Sequence, residues 1–333
     1  MTKLEMLRAE WPHIGLKFLG VGHALPSAGA VPNTYMERLV DTSDEWIVSR
    51  TGIKERYFCA EQTNIELAQA AAEEAMSRAG IKPEQVGVCL VATFTPDRMS
   101  PSLACMLQER LGLPQDSVMF DLNAACAGFL YGLQTARQLL LTAEPTRPYA
   151  LVLGSETPSR VMDFTDRNTC VLFGDAAAAA VVELSEEKPY LAICGSRTDN
   201  ENMLYCSGLA DQQQGRPGGV VHMQGQEVFR FAVDIIPHSI EQVLARANLQ
   251  LADIDHVVCH QANNRIISHV VKKMHAAPEQ FFINLQHYGN TSSASIPLAL
   301  NDMWEQGLLK PGQRIICVGF GAGFTWGACL LTW

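Results

Sequence analysis

The chain has 333 residues, of which 47% are hydrophobic and 18% are charged, and its 25 basic and 35 acidic side chains give a net charge of −10. This composition excludes bulk disorder and a small binding module, and the acidic balance argues against broad binding to nucleic acids or anionic membranes, which need clustered Lys and Arg. Because a single hydrophobic core stops growing at roughly 250–300 residues, the length predicts two cores or one fold used twice.

The first segment of the chain, residues 1–16, places acidic residues, Trp11 and Pro12 before any apolar run, an order that is not typical of a secretory signal peptide. No apolar run approaches the length of about 18 residues that a membrane span needs. The ten cysteines stand singly, without a C-x-x-C pair or a Cys/His cluster at zinc spacing, which favours free thiols in a reducing compartment. We therefore expect a cytoplasmic protein without a bound metal.

A helix followed by a buried strand is the first clear pattern. The capping box Thr63-x-x-Glu66 opens an Ala-rich helix that stops at Gly80, and the apolar run 86–92 after Pro83 is typical of a buried strand. Further elements are predicted in the same half of the chain: a strand at 118–122, a helix over 126–141 and a strand at 179–183.

The same order of elements recurs in the second half, after a predicted surface loop at 211–219. Three pairs of segments match in sequence and in order: 78–92 with 246–260, 120–126 with 283–290, and 173–183 with 320–331. Three ordered matches indicate an internal duplication of an α/β half. The alternation of strands and helices predicts mostly parallel sheets that are buried on both faces.

Three polar side chains stand at the ends of predicted elements. Cys126 begins a helix, where unpaired amides and the helix dipole stabilise a thiolate and lower its pKa. His260 ends a strand, and ligands bind at the carboxyl ends of strands in open α/β sheets. Asn290 lies in a turn that opens another helix. A packed cysteine, a buried histidine and an N-cap would explain each residue alone, but only convergence on one site between duplicated halves explains all three together.

Seven motifs carry a resemblance to a known family. They are DTSDEWI with RTGI at 41–53, AACAG at 124–128, TDR at 165–167, FGD at 173–175, HQAN at 260–263, GNTS at 289–292 and FGAGFTWG at 320–327. From about Gly15 to Trp333 the chain resembles the β-ketoacyl-acyl carrier protein synthase III enzymes of the thiolase superfamily. The resemblance implies an internally duplicated thiolase-like fold of five α-β-α-β-α layers. It places the nucleophilic Cys in an N-terminal half, 1–185, and the His and Asn in a C-terminal half, 186–333.

The resemblance implies an acyltransferase that joins an acyl-CoA starter to malonyl-acyl carrier protein by a decarboxylating Claisen condensation and so initiates fatty-acid synthesis. Cys126 would carry the acyl group, with the backbone amides of Cys126 and Ala322 as oxyanion donors. His260 and Asn290 would donate hydrogen bonds to the malonyl thioester, and Phe320 would wall the malonyl side. No metal or redox cofactor is expected.

The resemblance also assigns residues that bind partners. Trp46 and Arg167 are expected to sandwich the adenine of coenzyme A, because both side chains stack on flat rings. The other assignments are coenzyme A contacts at Thr42, Arg50, Gly225 and Asn263, a basic docking surface for the acidic carrier protein at Arg230, Arg265, Lys272 and Lys273, and Ser100 at a position that reaches a partner's acyl pocket. The small Ser100 side chain favours a longer or branched starter. A homodimer is expected, and the low charged fraction agrees with an apolar surface covered by another subunit.

Two other functions remain open on the sequence. One is a sibling condensing enzyme of secondary metabolism, of quinolone or polyketide type, that uses an aryl or longer acyl starter. The other is a catalytically silent partner subunit or acyl-binding protein, against which the intact Cys126, His260 and Asn290 argue.

Cys317 lies near the position of a second catalytic cysteine in thiolases but three residues too early, so we interpret it as a buried strand residue.

Overall fold

The structure is a computed structural model that describes residues 14–215 and 217–333. The prediction about a signal peptide rests on residues 1–16, so it falls almost entirely outside the described residues. Arg216, in the predicted surface loop, also lies outside them. No helix within the described part of the chain is both long enough and apolar enough to cross a membrane.

Strands and helices alternate along the described chain. The strands are β1 (Gly15–Ala24), β2 (Ala30–Pro32), β3 (Glu55–Tyr57), β4 (Val86–Ala92), β5 (Val118–Leu122), β6 (Tyr149–Glu156), β7 (Ala176–Ser185), β8 (Tyr190–Ser196), β9 (Leu204–Cys206), β10 (Val221–Met223), β11 (His256–Cys259), β12 (Arg314–Gly321) and β13 (Thr325–Thr332). The α-helices are α1 (Asn33–Met36), α2 (Asp44–Thr51), α3 (Asn64–Ala79), α4 (Leu103–Leu111), α5 (Gly128–Leu140), α6 (Arg167–Cys170), α7 (Leu209–Gln213), α8 (Gly225–Ala247), α9 (Asn264–Lys273), α10 (Leu285–Tyr288) and α11 (Ser295–Glu305).

Two sheets form the centre of the molecule. The first has the strand order β5-β4-β6-β7-β1, in which β5, β4 and β6 pair in parallel and β7 pairs antiparallel with both β6 and β1. The second has the order β11-β12-β13-β8, in which β11 and β12 pair in parallel and β13 pairs antiparallel with both β12 and β8. At the position equivalent to β5, Phe281 forms a parallel bridge with Val257 of β11. The predicted duplication is confirmed, and the sheets are mostly parallel as predicted. Each sheet is nevertheless mixed, because one strand, β7 in the first and β13 in the second, runs opposite to the others.

Helices cover the sheets in three layers. α3 and α4 pack on the outer face of the first sheet, and α8 and α9 pack on the outer face of the second. α5 and α11 lie between the sheets, where Leu133 and Ile296 share a core with Val152 of β6 and Cys317 of β12. The order is therefore α-β-α-β-α, as predicted, and Cys317 is the buried strand residue that the sequence indicated.

The first predicted helix shows how the local sequence sets this packing. Thr63 and Glu66 form the predicted capping box, and Gly80 ends α3 in the left-handed conformation, with φ of 66°. The buried alanine face of α3 lies so close to β1 that a Cβ on Gly20 or Gly22 would come within about 2.5 Å of the Ala75 backbone. Small residues on both elements therefore set the distance between helix and sheet.

Two predicted boundaries differ from the structure. The predicted loop at 211–219 begins inside α7, because the Gly208 N–H donates to the Asp211 carboxylate at 2.9 Å and starts a short helix there. The helix predicted over 126–141 begins with a 3-10 turn, Ala125–Ala127, before α5. That turn is part of the candidate site.

Candidate active site

Cys126 lies in a tight turn between β5 and α5. Ala125 has a φ of 46°, and its N–H donates to Asn123 Oδ1 at 3.1 Å. A left-handed conformation at a residue other than glycine costs on the order of 1–3 kcal/mol and persists where the surroundings impose it. The turn leaves Cys126 half-buried on the wall of a cavity of about 1390 Å³.

The end of β12 closes on this turn. A Cβ on Gly321 would lie 2.6 Å from the Cys126 nitrogen and 2.9 Å from the Ala125 Cβ, so only glycine allows the approach. Thr325 Oγ1 also donates to the Ala124 carbonyl at 2.8 Å. Ala322, the residue after β12, lines the same cavity as Cys126.

A turn with the same backbone precedes α11. Ser292 has a φ of 50°, its N–H donates to Asn290 Oδ1 at 2.9 Å, and the 3-10 segment Ser292–Ala294 leads into the helix. Because Oδ1 is engaged, the Nδ2 amide group of Asn290 is left for a ligand in the cavity. The prediction that Cys126 and Asn290 are equivalent was wrong by three positions. Asn290 corresponds to Asn123, because each side chain accepts the N–H of the residue two positions later in the same kind of turn.

His260 directly follows β11 and is 2% exposed. The backbone N–H of His260 donates to the Val318 carbonyl at 2.8 Å. In the side chain, Nδ1 lies 2.7 Å from Ser295 Oγ, and the imidazole ring packs edge-on against the Phe320 ring with centroids 5.6 Å apart. Burial lowers the pKa of His260 to about 3, so the imidazole is neutral at physiological pH. Cys126, His260, Asn290, Phe320 and Ala322 all line the one cavity.

The predicted lowering of the Cys126 pKa was wrong. Burial raises the pKa of its thiol to about 12, and a hydrogen bond with the Ser292 side chain opposes this only in part. Desolvation of a thiolate outweighs the favourable field at the start of α5. The resting group is therefore the thiol.

Glu156, at the end of β6, is a buried carboxyl group that the sequence did not indicate. Its Oε2 accepts hydrogen bonds from the Thr95 and Thr93 hydroxyls at 2.6 and 3.1 Å, and its Oε1 accepts from the Ser292 and Ser293 hydroxyls at 3.0 and 2.9 Å. Burial raises its pKa to about 7 in spite of these bonds. Glu156 thus ties the turn before α11 to the first sheet, through partners up to 137 positions away.

Comparison with known proteins identifies the family. A β-ketoacyl-[acyl-carrier-protein] synthase III of Clostridium acetobutylicum is 43% identical over 324 residues, which are 96% of this chain and 98% of that protein. The chain belongs to the 3-oxoacyl-[acyl-carrier-protein] synthase III family. Family models with this description match residues 120–200 and, for the C-terminal part, 244–333. The synthase III of Ruegeria pomeroyi is also 43% identical, over 94% of this chain and 98% of that protein.

Solved structures of the synthase III family have the same fold. The enzyme of Aquifex aeolicus superimposes with a TM-score of 0.89 at 38% identity, over 96% of this chain and all of that one. The priming β-ketosynthase of the R1128 polyketide pathway gives 0.86 at 32% identity, over 96% of each chain. The higher identities favour fatty-acid synthesis over the secondary-metabolism alternative, and membership in this family of enzymes disfavours a silent subunit.

The two side chains that the synthase III resemblance places on either side of adenine, Trp46 and Arg167, stack directly on each other in this structure. The Arg167 guanidinium carbon lies 4.9 Å from the centroid of the Trp46 ring, and Arg167 Nη1 donates to the Asp41 carbonyl at 2.9 Å. A ring between the two groups needs about 7 Å, which is two contact distances of about 3.5 Å, so Arg167 has to move outward to admit one. Thr42 Oγ1 is buried without a hydrogen-bond partner among the described residues, which fits the predicted contact with a base.

The remaining predicted contacts of coenzyme A lie along the cavity. Arg50, Gly225 and Asn263 line it together with Trp46. Asn263 is the N-cap of α9, where its Oδ1 accepts the Arg265 N–H at 2.8 Å. Its Nδ2 group is therefore the part of the side chain that is left for a pantetheine amide.

The predicted docking residues lie on the surface of α8 and α9. Arg230 and Arg265 stand at the cavity, whereas Lys272 and Lys273 lie farther along α9. Arg230 pairs with a glutamate on its own helix at 2.6 Å, and Lys273 pairs with an aspartate of α8 at 2.7 Å. Ser100 lies on an exposed loop before α4 and does not line the cavity of its own chain.

Proposed function

We propose that this chain condenses an acyl-CoA starter with malonyl-acyl carrier protein, with loss of CO₂, to give a β-ketoacyl-acyl carrier protein that starts fatty-acid synthesis. The observation that carries the proposal is the convergence of the Cys126 thiol, the neutral His260 ring and the Asn290 amide on one cavity. A thiol acceptor for an acyl group and two uncharged donors for a thioester oxygen are what this condensation requires.

In the first half-reaction, Cys126 Sγ attacks the acyl-CoA carbonyl. The Cys126 and Ala322 amides donate to the oxyanion, which then collapses with release of the coenzyme A thiolate. The proton of the Cys126 thiol ends on the coenzyme A thiol, so the exchange of thioesters is balanced without a cofactor. Because the pKa of the free thiol is about 12, attack and proton loss have to be coupled.

In the second half-reaction, His260 and the Asn290 Nδ2 group donate to the malonyl thioester oxygen. The C–C bond to the malonyl carboxylate breaks, CO₂ leaves, and the electron pair forms an enolate that these donors stabilise. The enolate carbon attacks the acyl-Cys126 carbonyl, and the Cys126 thiolate leaves and takes up a proton. A neutral His260 suits this step, because an imidazolium would protonate the enolate before it reacts.

We assign coenzyme A to the mouth of the cavity. Trp46 and Arg167 stack on the adenine after Arg167 moves, Thr42 contacts the base, Arg50 contacts a phosphate, and Gly225 and Asn263 follow the pantetheine arm. The support is that Trp46, Arg50, Gly225 and Asn263 share the cavity with Cys126, and that the Thr42 hydroxyl is buried without a partner in the part of the chain described.

The acidic carrier protein docks on the basic residues of α8 and α9. Arg230 and Arg265 lie at the cavity, where the arm of the carrier has to enter, and Lys272 and Lys273 extend this surface. Electrostatic complementarity of this kind mainly raises the association rate and is weakened by salt.

The protein acts as a homodimer built on β5. This strand is the edge of the first sheet, and Val118 and Phe120 on it are 44% and 37% exposed. An exposed apolar edge strand is a template for pairing with a second chain. Ser100 then faces the partner's acyl pocket.

The chain divides into an N-terminal half, 1–185, and a C-terminal half, 186–333, a division that the matching strand orders of the two sheets support. The protein acts in the cytoplasm.

Intact-mass spectrometry tests the proposal. The protein is incubated with acetyl-CoA, a branched short acyl-CoA, a long acyl-CoA and an aryl-CoA, and then with malonyl-acyl carrier protein or malonyl-CoA. We expect an acetyl or short branched adduct on Cys126 that only malonyl-acyl carrier protein discharges. Cys126→Ala should lose the adduct, and Cys105→Ala, which removes an exposed thiol on α4, should keep it. An aryl or long adduct discharged by malonyl-CoA, or no adduct at all, overturns the proposal.

A further inference from the structure

The hydroxyl of Ser295 is the inner hydrogen-bond partner of His260. Ser295 is the first residue of α11 and is 1% exposed, and its Oγ lies 2.7 Å from His260 Nδ1. The Gln261 N–H also donates to this oxygen, at 3.4 Å. The ring nitrogen and the hydroxyl are therefore both buried away from water, and any hydrogen that they carry needs a hydrogen-bond acceptor inside the protein.

The direction of this hydrogen bond follows from the inventory of donors and acceptors. A serine hydroxyl has one hydrogen, and the Gln261 N–H can only donate to it. Among the residues that the structure describes, Nδ1 of His260 is the acceptor within reach of the Ser295 hydroxyl. A hydrogen on Nδ1 would leave the buried hydroxyl hydrogen without an acceptor, which is unfavourable. The hydroxyl therefore donates to Nδ1, and a neutral ring carries its hydrogen on Nε2.

Resting on the proposed function, we infer that Ser295 is a positioning residue that holds neutral His260 in the tautomer with hydrogen on Nε2, ready to donate to the malonyl thioester oxygen. Without the hydroxyl, the proton can move to Nδ1, and Nε2 then presents a lone pair to that oxygen. Carbonyl oxygen and imidazole lone pair repel each other, so this tautomer cannot stabilise the enolate.

Other residues fix the position of the His260 ring, so the Ser295 hydroxyl determines only which ring nitrogen carries the proton. The His260 backbone is held by Val318, a Cβ on Gly319 would lie 3.4 Å from the His260 Cβ, and the Phe320 ring stands edge-on to the imidazole. The low pKa of the buried ring agrees with a neutral imidazole that has one hydrogen to place. Ser295 also directly follows the turn that holds Asn290, so one turn sets both donors to the thioester.

Separate rates for the two half-reactions test the inference. We expect Ser295→Ala to slow the discharge of acyl-Cys126 by malonyl-acyl carrier protein about 10²-fold, since loss of an outer hydrogen-bond partner of a functional histidine has effects of this size. Acylation of Cys126 by acetyl-CoA should change less than about threefold, because His260 is not a donor in that step. Ser295→Thr keeps the hydroxyl and should restore most of the lost rate.

Ser239→Ala is the matched control. Ser239 is a fully buried serine on α8 whose hydroxyl has no hydrogen-bond partner among the residues described, and it does not line the cavity. Both half-reactions should stay within about twofold of the native rates, because the substitution removes a buried hydroxyl without touching His260. Equal losses in both half-reactions of Ser295→Ala would indicate a purely structural role and overturn the inference.

A ¹⁵N spectrum of histidine-labelled protein gives a readout that does not depend on activity. A His260→Gln variant identifies the His260 signals. We expect an unprotonated Nδ1 and a protonated Nε2 in the native protein, and a proton on Nδ1 in a substantial population of Ser295→Ala. A native Nδ1 that carries the proton overturns the inference. If the native protein forms no acyl-Cys126, the proposed function fails instead, and the spectrum still decides the tautomer.

Discussion

Two turns precede the central helices α5 and α11, and they share one backbone conformation. In each turn an Asn side chain accepts an N–H from the residue two positions later, and that residue has a φ of 46° or 50°. The next residue is Cys126 in the first turn and Ser293 in the second. Cys126 lines the cavity, whereas Ser293 is 1% exposed and its hydroxyl oxygen lies 2.7 Å from the Ala92 carbonyl oxygen. The duplicated fold thus supplies the turn, and burial decides whether it presents a reactive group.

Each turn is also covered by a glycine from the opposite sheet. Gly321 of β12 packs on the Cys126 nitrogen, and a Cβ on Gly154 of β6 would lie 2.3 Å from the Ser293 carbonyl oxygen. Neither close approach tolerates a side chain. Each half of the molecule therefore holds in place the turn that the other half contributes to the site.

Moving the thiol between the turns should have the largest effect. We expect Cys126→Ala to lose acylation by about 10⁴-fold or more, because the covalent step has no other acceptor. Adding Ser293→Cys to this variant puts a thiol at the equivalent backbone position, and we expect no recovery, since that side chain is buried beside Glu156. Intact-mass spectrometry with acetyl-CoA measures both variants, and an acyl group on residue 293 would contradict the comparison.

Removing the two asparagines should separate their tasks. We expect Asn290→Ala to lower the rate of condensation by about 10²–10³-fold, because a hydrogen bond to the developing enolate is lost, and to slow acylation much less. Asn123→Ala removes the matching bond of an exposed side chain, so it should cost about 1 kcal/mol of stability and less than tenfold in acylation. Single-turnover rates and urea unfolding check these values, and equal condensation rates in the two variants would refute the assignment.

A further effect concerns the pH dependence of stability at Glu156. Burial raises the pKa of this carboxyl from about 4.5 in the unfolded chain to about 7, so the unfolded chain releases the proton first as pH rises. The stability of the native protein should therefore fall between pH 4.5 and 7, by about 3 kcal/mol from this group, and change no further above pH 7.

Glu156→Gln isolates this contribution. The stability of the variant relative to the native protein should increase as pH rises from about 4.5 to 7, because Gln mimics the neutral carboxyl group at every pH. Urea midpoints measured at one protein concentration test this, since dimer formation would otherwise shift them. A difference between the two proteins that does not vary with pH would show that the carboxyl group keeps an ordinary pKa.

The parts of the site that could be predicted lie at the ends of elements. Cys126, His260 and Asn290 stood out because each follows an apolar strand or opens a helix, and cap residues and apolar runs mark such places in the chain itself. Glu156 and Ser295 gave no signal. Their roles depend on partners 137 and 35 positions away, and no spacing within one element encodes such a contact.

The sequence by itself determined the duplicated α/β architecture and which side chains we propose as reactive, because helix caps, apolar runs and repeated motifs act over a few residues. The tertiary structure decided the protonation of those side chains. The Cys126 pKa is raised and that of His260 is lowered by burial, against the field at a helix start that the local sequence suggested for Cys126. Burial and hydrogen-bond partners are properties of the packed molecule, so they arise only when both halves come together.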